Sequence, residues 1–336
     1  MRGFGVLVLG LAALSFTITC NGALQTGFYL EKCGENNVED IIRDVVESRF
    51  SKDPTIVAAL LRLHFHDCFV SGCDGSLLLN GTDAEKNAGP NFSVRGYDLI
   101  DEAKAAVEKA CPGVVSCADI IAVATRDAVF MAKGLNYKVE TGRRDGLVSS
   151  ADNVDLPGPS ITVKNAIALF KRKGLNKMDM VLLLGAHTVG VTHCSFIGNR
   201  LYNFNNTGKK DPTMEASLFK SLSKTCPRIP NDSDSPVALD QTINSTNIVD
   251  DGYLRQVKGR RGILQIDQNI GLDALTGDIV RSFVNGPLKN SFQSRFGGAL
   301  IKMGRVGVLT GKNEGEIRKT CGAVNPKPTS SKTLSF

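Results

Sequence analysis

The sequence predicts a mostly α-helical fold, and two observations support that prediction. Apolar residues recur at helical spacing over much of the 336-residue chain, whereas strand-like alternation is rare and short, as at 137–141. One apolar stripe of the helical kind consists of Val38, Ile41, Ile42, Val45 and Val46. The chain shows no internal repeat, heptad pattern or charge block. Its length allows one large domain or two small ones, with an ample apolar core.

Several helices can be placed by their ends. Asp53 followed by Pro54 predicts a helix start, with Asp53 as the N-cap and proline in the first turn. Ser116, with Asp119 three residues later, predicts a second capped start. Helices are predicted over 116–132, 161–173, 178–184, 194–202 and 291–303. Gly174 predicts the C-cap of the helix that ends beside it.

The two ends of the chain predict processing. Residues 1–23 have the features of a secretory signal peptide, with a basic residue, an apolar run and small residues near the cleavage point. Residues 24–325 form the predicted domain, in which Pro157, Gly158 and Pro159 make a rigid connector between two helical halves. Residues 326–336 are rich in Pro, Ser, Thr and Lys and predict a flexible tail. No later run is long enough to span a bilayer, so the mature chain is expected to be soluble.

Composition indicates an oxidising compartment. Removal of the leader would leave eight of the nine cysteines, and an even number in an exported chain predicts four disulfides, whose pairing remains open. Sequons at Asn80, Asn205, Asn231 and Asn244 fit the same compartment. Zinc is disfavoured because the cysteine spacings lack paired CxxC units. The formal net charge of +6 is spread along the chain without a basic run, which argues against nucleic acid as a partner.

The stretch over 60–76, LLRLHFHDCFVSGCDGS, carries the strongest chemical signal. Arg62 and His66 are four residues apart, so a helix presents both on one face. Arginine is rarely buried without a partner, so an arginine on an apolar helix needs explaining. The pair suits a reaction in which negative charge develops on an oxygen while a proton moves. His64 points away from His66 and is expected to be a hydrogen-bonded histidine of the core or a supporting one.

The two remaining histidines differ in their surroundings. His187 follows an apolar run and could be a core histidine or a metal ligand, and the core interpretation is favoured when the run is taken alone. His193 lies among polar residues and is expected near the surface. A zinc-hydrolase site built on 64–67 would need further clustered ligands, and the other histidines are too few and too distant.

Hard oxygen ligands are concentrated just after His66. Asp67, Asp74 and Ser76 are separated by Gly72 and Gly75, and carboxylates, a hydroxyl and free carbonyls suit Ca²⁺. The spacing is not that of an EF-hand, and taken alone a solvated turn explains the loop about as well.

Several segments, in the same order, resemble those of secretory plant (class III) haem peroxidases. Residues 62–74 resemble the active-site signature of that family, and 184–190 its proximal haem-ligand signature. Residues 115–119, 142–145 and 262–267 also fit. The resemblance covers about 25–325 and implies an all-α haem-peroxidase fold, with about ten main helices in distal and proximal halves, haem between them and little β structure.

The resemblance also implies the function. The protein would be a monomeric, secreted enzyme of the cell wall that reduces H2O2 and oxidises phenolic donors in one-electron steps. A sorting signal in the tail would direct it to the vacuole instead. Two alternatives are a haem-binding cell-wall protein with little turnover and a disulfide-stapled binding module. The first is disfavoured because all the residues of the chemistry are present, and the second leaves the histidine sites unexplained.

On the distal side, the resemblance assigns five residues. His66 would be the general base, Arg62 would stabilise the charge that develops as the O–O bond breaks, and Asn91 would hydrogen-bond to His66. Phe65 would pack over the haem edge, and the carbonyl of Pro157 would position donors. Asn91 also begins a formal sequon, which we expect to be unglycosylated because a glycan would occlude the pocket.

On the proximal side, His187 would be the axial ligand of haem b, and Asp267 would accept the other ring N–H of His187. The chain lacks CxxCH, so covalent c-type attachment is disfavoured.

Two Ca²⁺ ions and four disulfides are also implied by the resemblance. The distal ion would use Asp67, Val70, Gly72, Asp74 and Ser76, with Glu85 linking that site to Asn91 and His66. The proximal ion would use Thr188, Asp240, Asp250, the Ile248 carbonyl and one hydroxyl, from Thr242 or Ser245. The implied disulfides are Cys33–Cys111, Cys68–Cys73, Cys117–Cys321 and Cys194–Cys226.

The sequence departs from the family's pattern at a few positions. Gly34 follows Cys33 where proline is usual, and Tyr137 stands where most members carry their single tryptophan. The loop over 240–250 is about two residues longer than usual. Gly89 and Pro90 stand where some members have a bulky donor-contacting side chain, which predicts a more open donor channel.

Overall fold

A computed structural model describes residues 23–228 and 234–327, and α-helices dominate this part of the chain. The twelve helices found there are α1 Val38–Lys52, α2 Ile56–Phe69, α3 Tyr97–Ala110, α4 Cys117–Met131, α5 Val163–Arg172, α6 Lys177–Leu184, α7 Cys194–Tyr202, α8 Ala216–Thr225, α9 Gly252–Lys258, α10 Gln265–Leu272, α11 Gly277–Asn285 and α12 Phe292–Met303. The all-α prediction is confirmed. The predicted signal peptide and most of the predicted tail lie outside the described residues.

Four short strands form two antiparallel pairs. They are β1 Gln25–Thr26, β2 Glu140–Thr141, β3 Val191–His193 and β4 Pro236–Ala238. Gln25 lies opposite Thr141 in the first pair, and Thr192 lies opposite Val237 in the second. The strand-like run predicted over 137–141 is therefore an extended segment that pairs only at its last two residues.

Helix ends follow the local sequence in most places. Ser116 caps α4, since its Oγ accepts from the Asp119 N–H at 3.1 Å, and Gly174 follows α5 with a φ of +76°, so both predicted caps are confirmed. The predicted start of α2 is wrong by two residues. Asp53 Oδ1 accepts from the Thr55 N–H at 3.0 Å, so Asp53 closes a turn before the helix and Thr55 is the N-cap.

The helices pack as two layers that share one core. Helix α4 is buried from Cys117 to Val129 and contacts α1, α2 and α3. In the other layer α6 packs against α5, α11 and α12, and α9, α10 and α11 pack together. A single apolar cluster runs through both layers. The Pro159 carbonyl accepts from the Ile266 N–H at 3.0 Å, so the proline connector is fixed against the start of α10. The two predicted halves therefore share one apolar core.

A smaller apolar cluster lies apart from this core, under α7 and α8. It includes Ile197, Leu201, Leu218 and Leu222. No helix within 23–228 or 234–327 has both the length and the hydropathy that crossing a membrane requires.

The four implied disulfides are all present in the structure: Cys33–Cys111, Cys68–Cys73, Cys117–Cys321 and Cys194–Cys226. Cys117–Cys321 joins residues 204 positions apart and ties the start of α4 to the C-terminal segment. Cys68–Cys73 closes the loop that leaves α2. The cross-links therefore restrain the segments on either side of the predicted distal site.

The side chain of Asp119 joins three parts of the fold. Its carboxylate accepts from the Tyr29 hydroxyl at 2.6 Å, from the Gly142 N–H at 2.6 Å, and from the Arg143 guanidinium at 2.7 Å. Arg143 in turn donates to the Gly304 carbonyl beyond α12. Both charged side chains are buried. A charge that is removed from water needs an opposite charge or hydrogen bonds in place of its hydration, and each of these side chains provides them for the other.

We expect Asp119→Ala to lower the free energy of unfolding by about 3–5 kcal/mol, because the Arg143 charge would remain buried without its partner. The measurement is denaturant unfolding of the disulfide-intact protein. Asp278→Ala is the matched control, since Asp278 is paired with Arg281 on the surface and surface pairs contribute little. Equal unfolding midpoints for the two variants would contradict the assignment.

Candidate active site

Helix α2 brings Arg62 and His66 into direct contact. The Arg62 Nε–H donates to His66 Nε2 at 3.1 Å, and the Arg62 Nη2 donates to the Pro90 carbonyl at 2.9 Å. His66 is only 7% exposed, whereas Arg62 is exposed. The pair lies on one helical face, as its spacing predicts.

Asn91 sets the tautomer of His66. Its side-chain oxygen lies 2.5 Å from His66 Nδ1, and an amide oxygen can only accept, so the ring hydrogen is on Nδ1. The Asn91 Nδ2 donates to the main-chain carbonyl of Glu85 at 2.6 Å, which holds the amide in this orientation. His66 Nε2 is therefore a lone pair that faces the Arg62 guanidinium.

Burial and charge make the His66 ring a weak base. Burial is the larger effect and the nearby Arg62 charge adds to it, while the Asn91 hydrogen bond opposes both, so the pKa of His66 is lowered to about 4. The imidazole is neutral near pH 7. It can accept a proton while the adjacent guanidinium stabilises negative charge.

The proximal histidine is held in the same manner by a carboxylate. His187 lies in a short 3₁₀ turn after α6, and its Nδ1 lies 2.8 Å from Asp267 Oδ1. Asp267 is fully buried on the first turn of α10, and its other oxygen accepts from the Leu264 N–H at 3.1 Å. An ionised carboxylate can only accept, so Nδ1 carries the hydrogen and Nε2 is free to bind a metal.

The His187 side chain is 28% exposed, so the core interpretation favoured by the apolar run alone is wrong. A half-exposed imidazole with a carboxylate on one nitrogen and a free lone pair on the other is typical of a metal-binding histidine. The donor set thus fits an iron bound at Nε2.

A third contact to Asp267 was not anticipated from the sequence. The Tyr253 hydroxyl of α9 donates to Asp267 Oδ1 at 2.9 Å. The two residues are 14 positions apart on different helices, so no local pattern indicates the contact.

Aromatic rings pack beside the distal pair. The Phe65 ring stacks on Phe69 at a centroid distance of 4.1 Å, and Phe170 of α5 packs against Phe69 at 4.8 Å. Pro157 is half-buried in the extended connector. Phe65 is therefore held in a cluster of three aromatic rings next to His66.

The acidic loop after α2 is buried and rich in oxygen atoms without protein partners. Asp67 accepts from the main-chain N–H groups of Gly75 and Leu77, whereas Ser76 Oγ and Glu85 Oε2 are buried with no partner among the described residues. Burial raises the pKa of Asp67 and of Asp74, and it raises the pKa of Glu85 to about 7. The Asp74 charge adds to this effect at Asp67 and at Glu85. Three buried carboxylates this close together suit a hard divalent cation.

The two carbonyls of this loop have other contacts as well. The Val70 carbonyl accepts from Lys173 Nζ at 2.9 Å, and the Gly72 carbonyl accepts from the Asp74 N–H at 2.8 Å. Each carbonyl retains a second lone pair. Gly72 has a φ of +123°, and a Cβ there would lie 2.3 Å from the Gly307 carbonyl oxygen, so only glycine fits.

The expected link from Glu85 to Asn91 and His66 is present and runs through the main chain. The Glu85 main-chain carbonyl accepts from the Asn91 amide, because the short turn at 85–87 directs it there. The Glu85 carboxylate instead accepts from the Ser71 hydroxyl at 3.2 Å.

Oxygen atoms also converge near Thr188. Its hydroxyl donates to the Ile248 carbonyl at 3.2 Å, and Asp240 Oδ2 is buried without a protein partner among the described residues. A Cβ on Gly252 would lie 2.7, 2.8 and 2.9 Å from Asp250 Oδ1, Asp240 Oδ2 and Thr242 Oγ1. The alternative hydroxyl, Ser245, donates to the other Asp250 oxygen at 2.8 Å. The convergence favours Thr242 over Ser245.

His64 belongs to neither histidine network. It is buried as expected, but neither ring nitrogen has a protein partner among the described residues, so the hydrogen-bonded environment predicted for it is wrong. Burial, with the Arg143 charge, lowers the pKa of His64 to about 3. Its sulfur neighbours Cys68 and Cys73 are joined in a disulfide, which leaves no zinc ligand set around it. His193 ends β3 half-exposed, near the surface as expected.

Comparison with known proteins identifies the family. The family model described as "Peroxidase" matches residues 42–286. The chain is 50% identical over 325 residues to Peroxidase 60 of Arabidopsis thaliana, covering 96% of each chain. It is 48% identical to Peroxidase 57 of the same plant, covering 90% of this chain and 93% of the relative. It is 43% identical to Peroxidase N1 of Nicotiana tabacum, covering 95% of this chain and 96% of the relative.

The chain therefore belongs to the peroxidase family, in its plant (class III) branch, as the sequence motifs indicate. It is a peroxidase, an enzyme that reduces peroxide with electrons from a donor. Membership of this family implies a haem cofactor.

We expect Asn91→Val to move the acid limb of the reaction with H2O2 to lower pH. With His66 as the base that accepts the proton, the rate should fall as the pH drops through the pKa of His66. The Asn91 hydrogen bond raises that pKa, so its loss lowers the pKa and weakens the base. The measurement is the second-order rate constant with H2O2 against pH. Asn87→Val is the control, because Asn87 bonds to the Gly81 and Thr82 carbonyls. If the Asn91→Val protein has its full haem content and the acid limb of its pH–rate profile stays in place or moves to higher pH, the role of the Asn91 hydrogen bond is contradicted.

Proposed function

We propose that His187 binds the iron of haem b through Nε2 and that Arg62 and His66 cleave peroxide on the opposite face. The observation that supports this most directly is the pair of histidine networks. Each fixes the hydrogen on Nδ1, through Asn91 Oδ1 at 2.5 Å for His66 and Asp267 Oδ1 at 2.8 Å for His187. Each leaves Nε2 as a lone pair. A bound haem would supply the redox-active iron.

His66 and Arg62 have separate roles in the proposed O–O cleavage. His66 Nε2 takes the proton from one peroxide oxygen and returns it to the leaving oxygen, a role that contributes typically about 10²–10⁴-fold. Arg62 donates toward the oxygen on which charge develops, and removal of one such donor costs about 10²–10³-fold. Asn91 keeps the lone pair of His66 directed at the pocket, and Asp267 orients His187 and increases its donor strength.

Small phenols are the proposed electron donors, oxidised one electron at a time. The stacked Phe65 ring would pack over the haem edge and limit access to the iron, and the carbonyl of Pro157 would position the donor. The exposed Gly89 and Pro90 offer no bulky side chain at the channel, which supports an open donor path. An inactive haem-binding protein is the disfavoured alternative, since the chain is a peroxidase by family and retains both networks.

Two Ca²⁺ sites are proposed from the convergent oxygens. The distal site would use Asp67, Asp74, Ser76 and the carbonyls of Val70 and Gly72, with Glu85 nearby. The proximal site would use Thr188, Asp240, Thr242, Asp250 and the Ile248 carbonyl. Buried oxygens without protein partners support both, namely Ser76 Oγ and Glu85 Oε2 in the first and Asp240 Oδ2 in the second.

We further propose a secreted monomer with residues 1–23 as signal peptide, 24–325 as the haem domain and 326–336 as a tail that could direct vacuolar sorting. The four disulfides support an oxidising compartment. Asn80, Asn205 and Asn244 are exposed and open to glycosylation, while Asn231 lies outside the described residues. Asn91 is 2% exposed with both ends of its amide bonded, which supports its remaining unmodified.

Histidine variants separate catalysis from haem binding. We expect His66→Leu to retain haem and to react with H2O2 at least about 10³-fold more slowly, since the base is lost. We expect His187→Ala to lose haem or bind it loosely. The measurements are haem content, the Soret spectrum and stopped-flow kinetics, with His193→Ala as the control. Near-normal turnover of His66→Leu, or unchanged iron coordination in His187→Ala, would remove the role assigned to that residue.

Chelation tests the calcium sites. We expect EGTA to lower the melting temperature and added Ca²⁺ to restore it, since a ligand at 100 times its Kd stabilises the folded state by about 2.7 kcal/mol per site. Metal analysis should show two equivalents in the native protein and one in each of Asp74→Asn and Asp240→Asn. Asp278→Asn, on the surface, should retain two. A native protein free of Ca²⁺, with a melting temperature indifferent to EGTA, would refute both sites.

A further inference from the structure

One oxygen atom of Asp267 is shared by two donors. His187 Nδ1 lies 2.8 Å from Asp267 Oδ1, and the Tyr253 hydroxyl donates to the same oxygen at 2.9 Å. The second carboxylate oxygen is occupied by the Leu264 N–H. The His187 and Tyr253 rings meet edge to face at a centroid distance of 6.0 Å. Tyr253 thus touches both the carboxylate and the imidazole.

The contact is buried, and a hydrogen bond to a charged group has a larger electrostatic effect away from water. Asp267 is 0% exposed and Tyr253 is 1% exposed. No lysine or arginine of 23–228 or 234–327 forms a salt bridge with Asp267, whose one ion-pair partner there is His187. The carboxylate charge is therefore balanced by three hydrogen bonds, one of them from a phenol. The carboxylate oxygen can only accept in this pair, so the phenol is the donor.

We propose that Tyr253 is a positioning residue that limits how strongly Asp267 polarises His187, and through His187 the electron density at the haem iron. The inference rests on the proposed ligation by His187. Two donors on one oxygen divide its negative charge, so each hydrogen bond is weaker than it would be alone. Tyr253 therefore holds the imidazole short of full imidazolate character and raises the reduction potential above the value that Asp267 alone would set.

The variant that isolates this effect is Tyr253→Phe, which keeps the ring and removes the hydroxyl. We expect the ferric-to-ferrous ratio at a fixed potential to rise about tenfold, a midpoint shift of about 59 mV to more negative values. We also expect the iron–histidine stretching frequency of the ferrous protein to rise, since His187 becomes a stronger donor. Spectroelectrochemistry and resonance Raman spectroscopy measure the two quantities.

Tyr29→Phe is the matched control. The Tyr29 hydroxyl donates to the buried carboxylate of Asp119 at 2.6 Å, so its removal costs a similar bond at a site without a haem ligand. This variant should leave the potential and the stretching frequency unchanged. A purely structural role of Tyr253 would make the two variants behave alike.

The outcomes separate this inference from the proposed function. If His187→Ala loses haem but Tyr253→Phe keeps the wild-type potential and stretching frequency, or shifts the potential upward, the role of Tyr253 is refuted and His187 remains the ligand. If His187→Ala keeps haem with unchanged coordination, the ligation itself fails. Should Tyr253→Phe not fold, replacement of tyrosine by 3-fluorotyrosine strengthens the donor and must shift the potential the other way; an unchanged potential overturns the inference.

Discussion

The buried Asp119–Arg143 ion pair connects the helices that position the two histidine networks. Asp119 lies on α4, which packs against α2 and so supports Arg62 and His66. Arg143 donates to the Gly304 carbonyl at the end of α12, which packs against α6, the helix that leads to His187. Because each charge is costly to bury without the other, the pair holds α4 and the end of α12 together. The helix that carries His66 and the helix that leads to His187 each pack against one of these two helices.

His66 and His187 are both held by a hydrogen bond at Nδ1, but the accepting group differs between the two sites. A neutral imidazole has one donor and one acceptor nitrogen, and a group that accepts from Nδ1 leaves Nε2 as the lone pair. At His66 the acceptor is the neutral amide of Asn91. Burial and the Arg62 charge lower the pKa of this ring to about 4, so it is free of its proton near neutral pH. At His187 the acceptor is the charged Asp267, which makes a stronger electron donor. The same side chain is therefore suited to proton transfer in one site and to metal binding in the other.

Much of the fold could be predicted because helix ends and buried faces are local properties. The Ser116 cap, the Gly174 C-cap and the bounds of α7 follow from adjacent residues. The predicted start of α2 is wrong because one local contact replaced another: Asp53 closes a turn with Thr55 before α2 begins.

The sequence by itself determined the helical class, the facing pair Arg62 and His66, and, through its motifs, the family. Only the tertiary structure decided which acceptor each histidine meets, that Glu85 acts through its main-chain carbonyl, and that Tyr253 shares an oxygen of Asp267. His187 and Asp267 are 80 residues apart. Spacing within a helix places residues one turn apart on the same face, but contacts between distant segments depend on how the helices pack. No local pattern encodes that packing.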